Sequence, residues 1–266
     1  MIKVRLTIVM LTLVCLLNGC TKANVPAEKN NDSIKGKETE NREPENESLK
    51  DIDLIFTPVP KEKLIAGKPE QGWERIESIP YGQLPGGKAN VNLYLKRDPN
   101  ASGAGQAAAF IEYDNELFST GNEISAYGLE GVEVSFVDRD SDSINKIEIA
   151  GNLGAANRVM KIILYDEENQ EWVKLLEIDN PTAADLDNDG SQELASVSMG
   201  SVPGFVDIYR WNEDHFEKAS VTESAGFFYA GLYSREGKWI IESGQQGEPH
   251  FYQYMNGRLI EQAEAG

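Results

Sequence analysis

The chain has few of the residues on which most metal, redox and covalent chemistries depend. Of its 266 residues, only two are cysteine and two are histidine, so Cys/His zinc sites and haem-attachment motifs are absent. Basic residues are also scarce, with 25 Lys and Arg against 44 Asp and Glu and a formal net charge of −19. Because such a surface repels phosphate, the composition argues against nucleic acid as a partner and against adsorption to an anionic membrane through a basic face.

Helical patterns and catalytic motifs are missing as well. Beyond the first 20 residues no stretch keeps a helical apolar period for twelve residues, so we expect little helix. There is no Gly-x-Ser-x-Gly motif, and neither His215 nor His250 lies beside a nucleophile motif. We therefore predict that the protein is not an enzyme. The alternative is a cell-surface hydrolase that acts on wall polysaccharide with a carboxylate pair, since an acidic chain offers many such pairs.

The first 19 residues have the pattern of a secretory signal peptide. Lys3 and Arg5 precede Leu6–Leu17, a mostly apolar run that is too short to cross a hydrocarbon core of about 30 Å as a helix. The run ends in Leu17-Asn18-Gly19-Cys20, which resembles the lipobox of bacterial lipoproteins. The resemblance implies cleavage before Cys20, lipid on its thiol, and a protein anchored on the extracytoplasmic face of the cell membrane.

Residues 20–50 are rich in Asn, Glu and Lys and poor in large apolar side chains. Such a segment cannot bury enough apolar surface to offset the entropy of ordering it. We predict a lipidated Cys20 with a disordered tether over 20–50, and a folded domain over 51–266.

The pattern in 51–266 indicates strands. Apolar and polar residues alternate in five segments, as half-buried strands require: Asn90–Lys96, Val132–Val137, Lys146–Ile149, Val206–Trp211 and Lys238–Glu242. A tyrosine before a polar turn recurs at Tyr113, Tyr165, Tyr209 and Tyr254, at spacings of 52, 44 and 45 residues. Intervals of about 45 residues have the size of a four-stranded propeller blade. We predict an all-β fold of blade-like four-stranded repeats, either a small or incomplete β-propeller or a curved stack of sheets.

One acidic segment has the spacing of a calcium loop. Asp185, Asp187 and Asp189 occupy alternate positions, and Gly190 permits the bend that lets them converge. Ca²⁺ takes six to eight oxygen ligands, which the carbonyl of Ser191 and the carboxylate of Glu193 help to supply. The EF-hand Glu at position 12 is missing, so the segment is a different kind of calcium loop.

This segment resembles the calcium loops of FG-GAP/VCBS repeat proteins, the integrin-type propeller blades, and Tyr209-Arg210-Trp211-Asn212 matches the strand that follows in that family. The resemblance covers roughly residues 130–220. It implies adhesion or ligand recognition, and hence a non-catalytic binding or scaffold lipoprotein whose partner is an envelope protein or glycan. A purely structural envelope component is a further alternative.

A second loop keeps part of the pattern. Its candidate ligands are Asp138, Asp140, Asp142 and Glu148. Ser143 replaces the glycine, and Lys146 stands where the first loop has Glu193. This weaker site binds calcium only if the loop is widened, and the sequence leaves that open.

Overall fold

Alternating apolar and polar residues become strands in all five predicted segments. The computed structural model describes residues 50–97, 105–121, 123–138, 145–200 and 202–262. The signal peptide, Cys20 and nearly all of the predicted tether lie outside the described residues. The described residues belong to one compact unit.

Nineteen strands are assigned within the described residues. Three strands of two residues come first: β1 (Ile52–Asp53), β2 (Thr57–Pro58) and β3 (Glu62–Lys63). Sheet 1 is built from β4 (Trp73–Leu84), β5 (Gly87–Lys96), β6 (Gln106–Tyr113) and β7 (Glu116–Ser119). Sheet 2 is built from β8 (Glu133–Val137), β9 (Lys146–Gly154), β10 (Asn157–Asp166) and β11 (Glu171–Asp179). Sheet 3 is built from β12 (Pro181–Ala184), β13 (Glu193–Val197), β14 (Val206–Asn212) and β15 (His215–Ser220). Sheet 4 is built from β16 (Tyr229–Arg235), β17 (Lys238–Gln245), β18 (Glu248–Met255) and β19 (Arg258–Gln262).

Each sheet is an antiparallel meander of consecutive strands. The prediction of an all-β chain is therefore confirmed, and the antiparallel sheets have four strands or, where β1, β2 or β3 is added, five. Little helix was also expected, and within the described residues the one helix is α1 (Val221–Ala225), between sheets 3 and 4. The hydroxyl of Ser220 caps it, and Gly226 ends it at φ 68°. No helix in the described ranges is long and apolar enough to cross a membrane.

Residues 52–66, which we call the N-terminal strap, contact the last strand of every sheet in reverse chain order. β1 pairs with β19, β2 with β15 and β3 with β11. Ala66 then forms an isolated bridge with Phe118 in β7. One short segment thus ties together four sheets that are far apart in the sequence.

Three hydrophobic clusters join the sheets in chain order. The first, between sheets 1 and 2, includes Val91 and Trp172. The second, between sheets 2 and 3, includes Leu175 and Phe216, and the third, between sheets 3 and 4, includes Ile208. Among the described residues no such cluster joins sheet 4 to sheet 1, so the sheets are stacked as an open series.

The four repeat tyrosines each lie in the third strand of a sheet. Tyr165, Tyr209 and Tyr254 pack in the cluster shared with the preceding sheet. Tyr113 instead faces sheet 2, where its hydroxyl lies 3.3 Å from the hydroxyl of Tyr165. The first repeat therefore departs from the regularity that the tyrosine spacing suggests, because its tyrosine points to the following sheet.

Candidate metal centre

The acidic loop of sheet 3 connects β12 to β13 and curls around Asp185. The two carboxylate oxygens of Asp185 accept N–H groups from Asp189 at 3.0 Å and from Gly190 at 3.1 Å. Asn188 and Gly190 have φ values of 61° and 93°, the left-handed conformations that a tight turn requires. The loop is therefore a tight turn that is closed by hydrogen bonds to the side chain of Asp185.

Three carboxylates converge inside this turn. One oxygen each from Asp185, Asp187 and Glu193 lie within 4.8 Å of one another. An ion that binds oxygen at 2.3–2.6 Å fits between oxygens separated by up to about 5 Å. Asp185 and Asp187 are half-buried, whereas Glu193 is only 8% exposed. The arrangement is suited to a hard divalent cation with protein oxygens on one side and solvent on the other.

The other two predicted ligands are not part of this group. The Oδ1 atom of Asp189 accepts the N–H of Ser191 at 2.7 Å, and both residues are exposed. The structure thus brings together three of the five predicted residues and leaves Asp189 and Ser191 at the rim.

Glu193 is the acidic residue of the loop whose pKa is shifted most clearly. The pKa of its carboxyl is raised to about 7. Burial is the largest cause, and the charges of Asp187 and Asp189 contribute to the same rise. The N–H of Leu186 donates to its Oε2 atom at 2.9 Å and partly opposes this effect. A buried carboxyl beside other acids is costly to ionise, and a bound cation removes that cost.

The loop also lies at the junction of sheets 3 and 4. The N–H of Asn256, in the β18–β19 turn, donates to Oδ2 of Asp187 at 3.0 Å. Tyr254 is buried at the same place, and burial followed by the charge of Glu193 raises its pKa to about 12. Both residues line a cavity of about 330 Å³ beside the loop, together with Arg210 and Trp211. Sequence reasoning missed Asn256, whose one signal is the Asn-Gly pair of a tight turn.

The second predicted loop is described only in part, and its described residues differ from those of the first loop. Asp140 and Asp142 lie outside the described residues, and Glu148 is a buried residue within β9. Lys146 is the first residue of β9, as Glu193 is of β13, and it is fully buried. Its Nζ lies 4.8 Å from the ring centroid of Trp211 in sheet 3. An ammonium group therefore stands at the position where the first loop has a carboxylate.

His215 forms an acid–imidazole pair of the kind that occurs in hydrolases. Its Nδ1 lies 2.9 Å from Asp214, whose other carboxylate oxygen is 2.6 Å from Lys61. Hydrogen bonds from Lys61 and then His215 lower the pKa of Asp214 to about 2. Within the described residues no hydrogen bond connects a hydroxyl or thiol to this imidazole, and its Nε2 atom is buried without a hydrogen-bond partner.

Comparisons with protein-family models, with curated proteins and with solved structures give no match. The function is therefore argued from the residues of this chain alone.

Proposed function

We propose that the protein is a lipid-anchored, extracytoplasmic β-repeat lipoprotein with a non-catalytic binding or scaffold role, whose acidic loop holds a structural Ca²⁺. The observation that carries the calcium proposal is the convergence of Asp185, Asp187 and Glu193 within one turn. All three of these metal ligands are carboxylate oxygens, and hard cations prefer such oxygens to softer ligands.

Asp185, Asp187 and Glu193 would hold the ion, and the remaining ligands come from backbone carbonyls and water. The ion supplies positive charge that offsets the repulsion among the carboxylates. Because Asp187 also accepts the N–H of Asn256, fixing Asp187 fixes the contact between sheets 3 and 4. The proposed role of calcium is therefore to brace a sheet junction, not to take part in a reaction.

We interpret the four sheets as diverged FG-GAP/VCBS-type blades. The meander order, the tyrosines in the third strands and the acidic loop between the first and second strands of sheet 3 support this interpretation. The N-terminal strap makes the sheets one body, as a scaffold that presents loops to an envelope protein or glycan needs.

The lipid anchor is tested by cell fractionation. Cys20→Ser should abolish incorporation of labelled palmitate and either release the protein from the membrane fraction or leave it unprocessed. Cys15→Ser is the matched control, because Cys15 lies within the segment proposed to be removed. A mature chain that begins elsewhere, or an unmodified Cys20, would contradict the lipoprotein proposal.

One observation favours the hydrolase alternative. Glu193, with its pKa raised to about 7, faces Asp187 beside a cavity of about 330 Å³. Retaining glycosidases pair an acid with a carboxylate about 5–5.5 Å away. We expect purified protein to release no sugar from cell-wall polysaccharide, with or without calcium. Hydrolysis by the parent that Glu193→Gln removes would establish the enzyme and overturn the non-catalytic proposal.

A further inference from the structure

The two ends of the sheet stack differ in chemistry. In each antiparallel meander, the turns after the first and third strands lie at one end, and the turn after the second strand lies at the other. The first end, which we call the acidic end, includes the loop of Asp185–Glu193 and the turns that contain Glu167, Glu168, Glu213 and Asp214. The opposite end, which we call the apolar end, includes the connections between β5 and β6, β9 and β10, β13 and β14, and β17 and β18, together with the links between sheets.

The apolar end carries most of the exposed large hydrophobic side chains of the described residues. They are Tyr127, Leu153, Met199, Val202 and Phe228. Val202 is 90% exposed and Met199 60% exposed. The others are Ile55 and Ile65 in the strap, Ile76 in β4 and Met255 at the acidic end.

These side chains form two groups at this end. The N–H of Ala126 donates to the carbonyl of Asn152, which places Tyr127 near Leu153. The N–H of Ala230 donates to the carbonyl of Gly204, which places the β13–β14 connection beside the segment of Phe228. The exposed side chains thus form one group at the link between sheets 1 and 2 and a second group at the link between sheets 3 and 4.

Charge is sparse at this end in sheets 2 to 4, whereas the β5–β6 connection of sheet 1 begins with the exposed Arg97. The connection 198–205 and the turns 152–156 and 246–247 contain no charged residue. The links between sheets add Glu123, Glu130 and Glu223. A surface of this kind on a chain with a net charge of −19 is a marked local exception, and exposed apolar patches of soluble proteins mark contact surfaces.

The chain joins the described domain at this end. β19 runs from the acidic end to the apolar end, and Glu261 lies near its finish. The Oε2 atom of Glu261 accepts the N–H of Lys50 at 2.8 Å, and its Oε1 atom is 2.6 Å from His250. His250 stacks on Phe227, with ring centroids 6.2 Å apart and planes within 8°. Lys50, the first described residue, is therefore three contacts from Phe227, the neighbour of Phe228.

We propose that the apolar end rests on the lipid bilayer to which Cys20 anchors the chain. This inference depends on the proposed lipid anchor. Two arguments select the bilayer as the occupant: the segment that leads to Cys20 joins the domain at this end, and the acidic end is repelled by anionic headgroups and so faces away. Aliphatic and aromatic side chains on uncharged loops are suited to the membrane interface.

The orientation is tested with single fluorescent labels on the full-length, lipidated protein in vesicles of phosphatidylethanolamine and phosphatidylglycerol. Met199→Cys places the label at the apolar end, and Met255→Cys is a control of the same residue type, 41% exposed, at the acidic end. With nitroxide-labelled lipids in the vesicles, we expect the label at 199 to lose at least half of its fluorescence and the label at 255 to keep it. Val202→Glu, at a position that is 90% exposed, should reduce the quenching at 199.

Equal quenching at the two positions, or stronger quenching at 255, would overturn the orientation. Energy transfer between copies labelled at 199 without lipid quenching would assign the surface to a second copy and would likewise overturn it. Lipidation of Cys20 is measured separately by counting the labels per chain, because a lipidated Cys20 has no free thiol. Two labels per chain would disprove the anchor, whereas one label per chain with equal quenching would disprove the orientation alone.

Discussion

The junction between sheets 1 and 2 and the junction between sheets 3 and 4 are stabilised differently. At the first, Trp172 is 1% exposed and its ring centroid lies 5.1–6.1 Å from those of Tyr81, Tyr113 and Tyr165. At the second, an apolar cluster is bordered by the acidic loop, and Asp187 reaches across to Asn256. Aromatic burial is insensitive to ions, whereas clustered carboxylates respond to pH and cations. The first junction therefore should not depend on ions, whereas we propose that the second junction depends on a bound cation.

The two acidic loops repeat this contrast. Glu193 begins β13 and Lys146 begins β9, so one loop has an extra negative charge where the other has a positive one. Lys146 is fully buried, and its Nζ lies beside the ring of Trp211 in the neighbouring sheet. Sheet 2 has a covalently attached cation at this position, and we propose that sheet 3 takes one from solution.

The largest expected effect is at the aromatic junction. Trp172→Ala should lower the free energy of unfolding by about 3–5 kcal/mol, because it removes a large buried side chain and leaves a cavity. Trp73, partly buried on the outer face of sheet 1, is the control, and Trp73→Ala should cost clearly less. Urea unfolding with and without calcium measures both. The loss in the Trp172 variant should be the same in either condition, and a calcium-dependent loss would contradict the separation of the two junctions.

The second effect is the pH dependence of the calcium-free protein. Folding raises the pKa of Glu193 to about 7 from an ordinary 4.5, so the fold favours its protonated form. No penalty exists below pH 4.5, and the full penalty is present above pH 7. Stability in chelator should therefore fall as the pH rises between these values, by about 3 kcal/mol at most, since one pKa unit is worth about 1.4 kcal/mol.

Glu193→Gln isolates this contribution, because all other titrating groups remain. The difference in unfolding free energy between parent and variant should change with pH in chelator and become smaller when calcium is added. A difference that is constant from pH 4.5 to pH 7 would show that ionisation of Glu193 does not govern the loop.

The third effect is the stabilisation by calcium itself. Extracellular calcium sites have dissociation constants of about 10⁻⁴ to 10⁻³ M, so about 1 mM calcium adds about 1.4 kcal/mol at the tighter limit. The melting midpoint of the parent should rise by roughly 3–6 °C for a domain of this size. Asp187→Ala should abolish the rise. As a control, Asp140→Ala should keep most of the calcium-dependent rise in the melting midpoint. An unchanged rise in the Asp187 variant would mean that the loop is only an acidic turn.

The smallest effect is a conversion of one loop into the other. Glu193→Lys places an ammonium where sheet 2 has Lys146, so its melting midpoint should no longer depend on calcium. In chelator the variant should melt no lower than the parent, because the new charge pairs with Asp185 and Asp187. Differential scanning calorimetry checks this, and a variant that still gains stability from calcium would contradict the correspondence between the two positions.

Local patterns in the sequence predicted the strands, but they did not predict the contacts between residues far apart in the sequence. Alternation located the sheets because half-buried strands impose a period of two on the side chains. The strap escaped notice because its strands have two residues each, too short for any period, and pair with partners up to about 200 residues away. The spacing of Asp185, Asp187 and Glu193 predicted their convergence, because a tight turn brings alternate residues together. Asn256 could not be found in this way, since it is 69 residues from Asp187.

Isothermal titration calorimetry of calcium into the full-length protein tests the central claim most directly. The parent should bind one ion at the loop, with a dissociation constant of about 10⁻⁴ to 10⁻³ M. Glu193→Lys should give no binding at this site, and Trp73→Ala should bind as the parent does. A parent that binds no calcium, or a Glu193 variant that binds with the parent's affinity, would contradict the assignment of the loop as a structural calcium site.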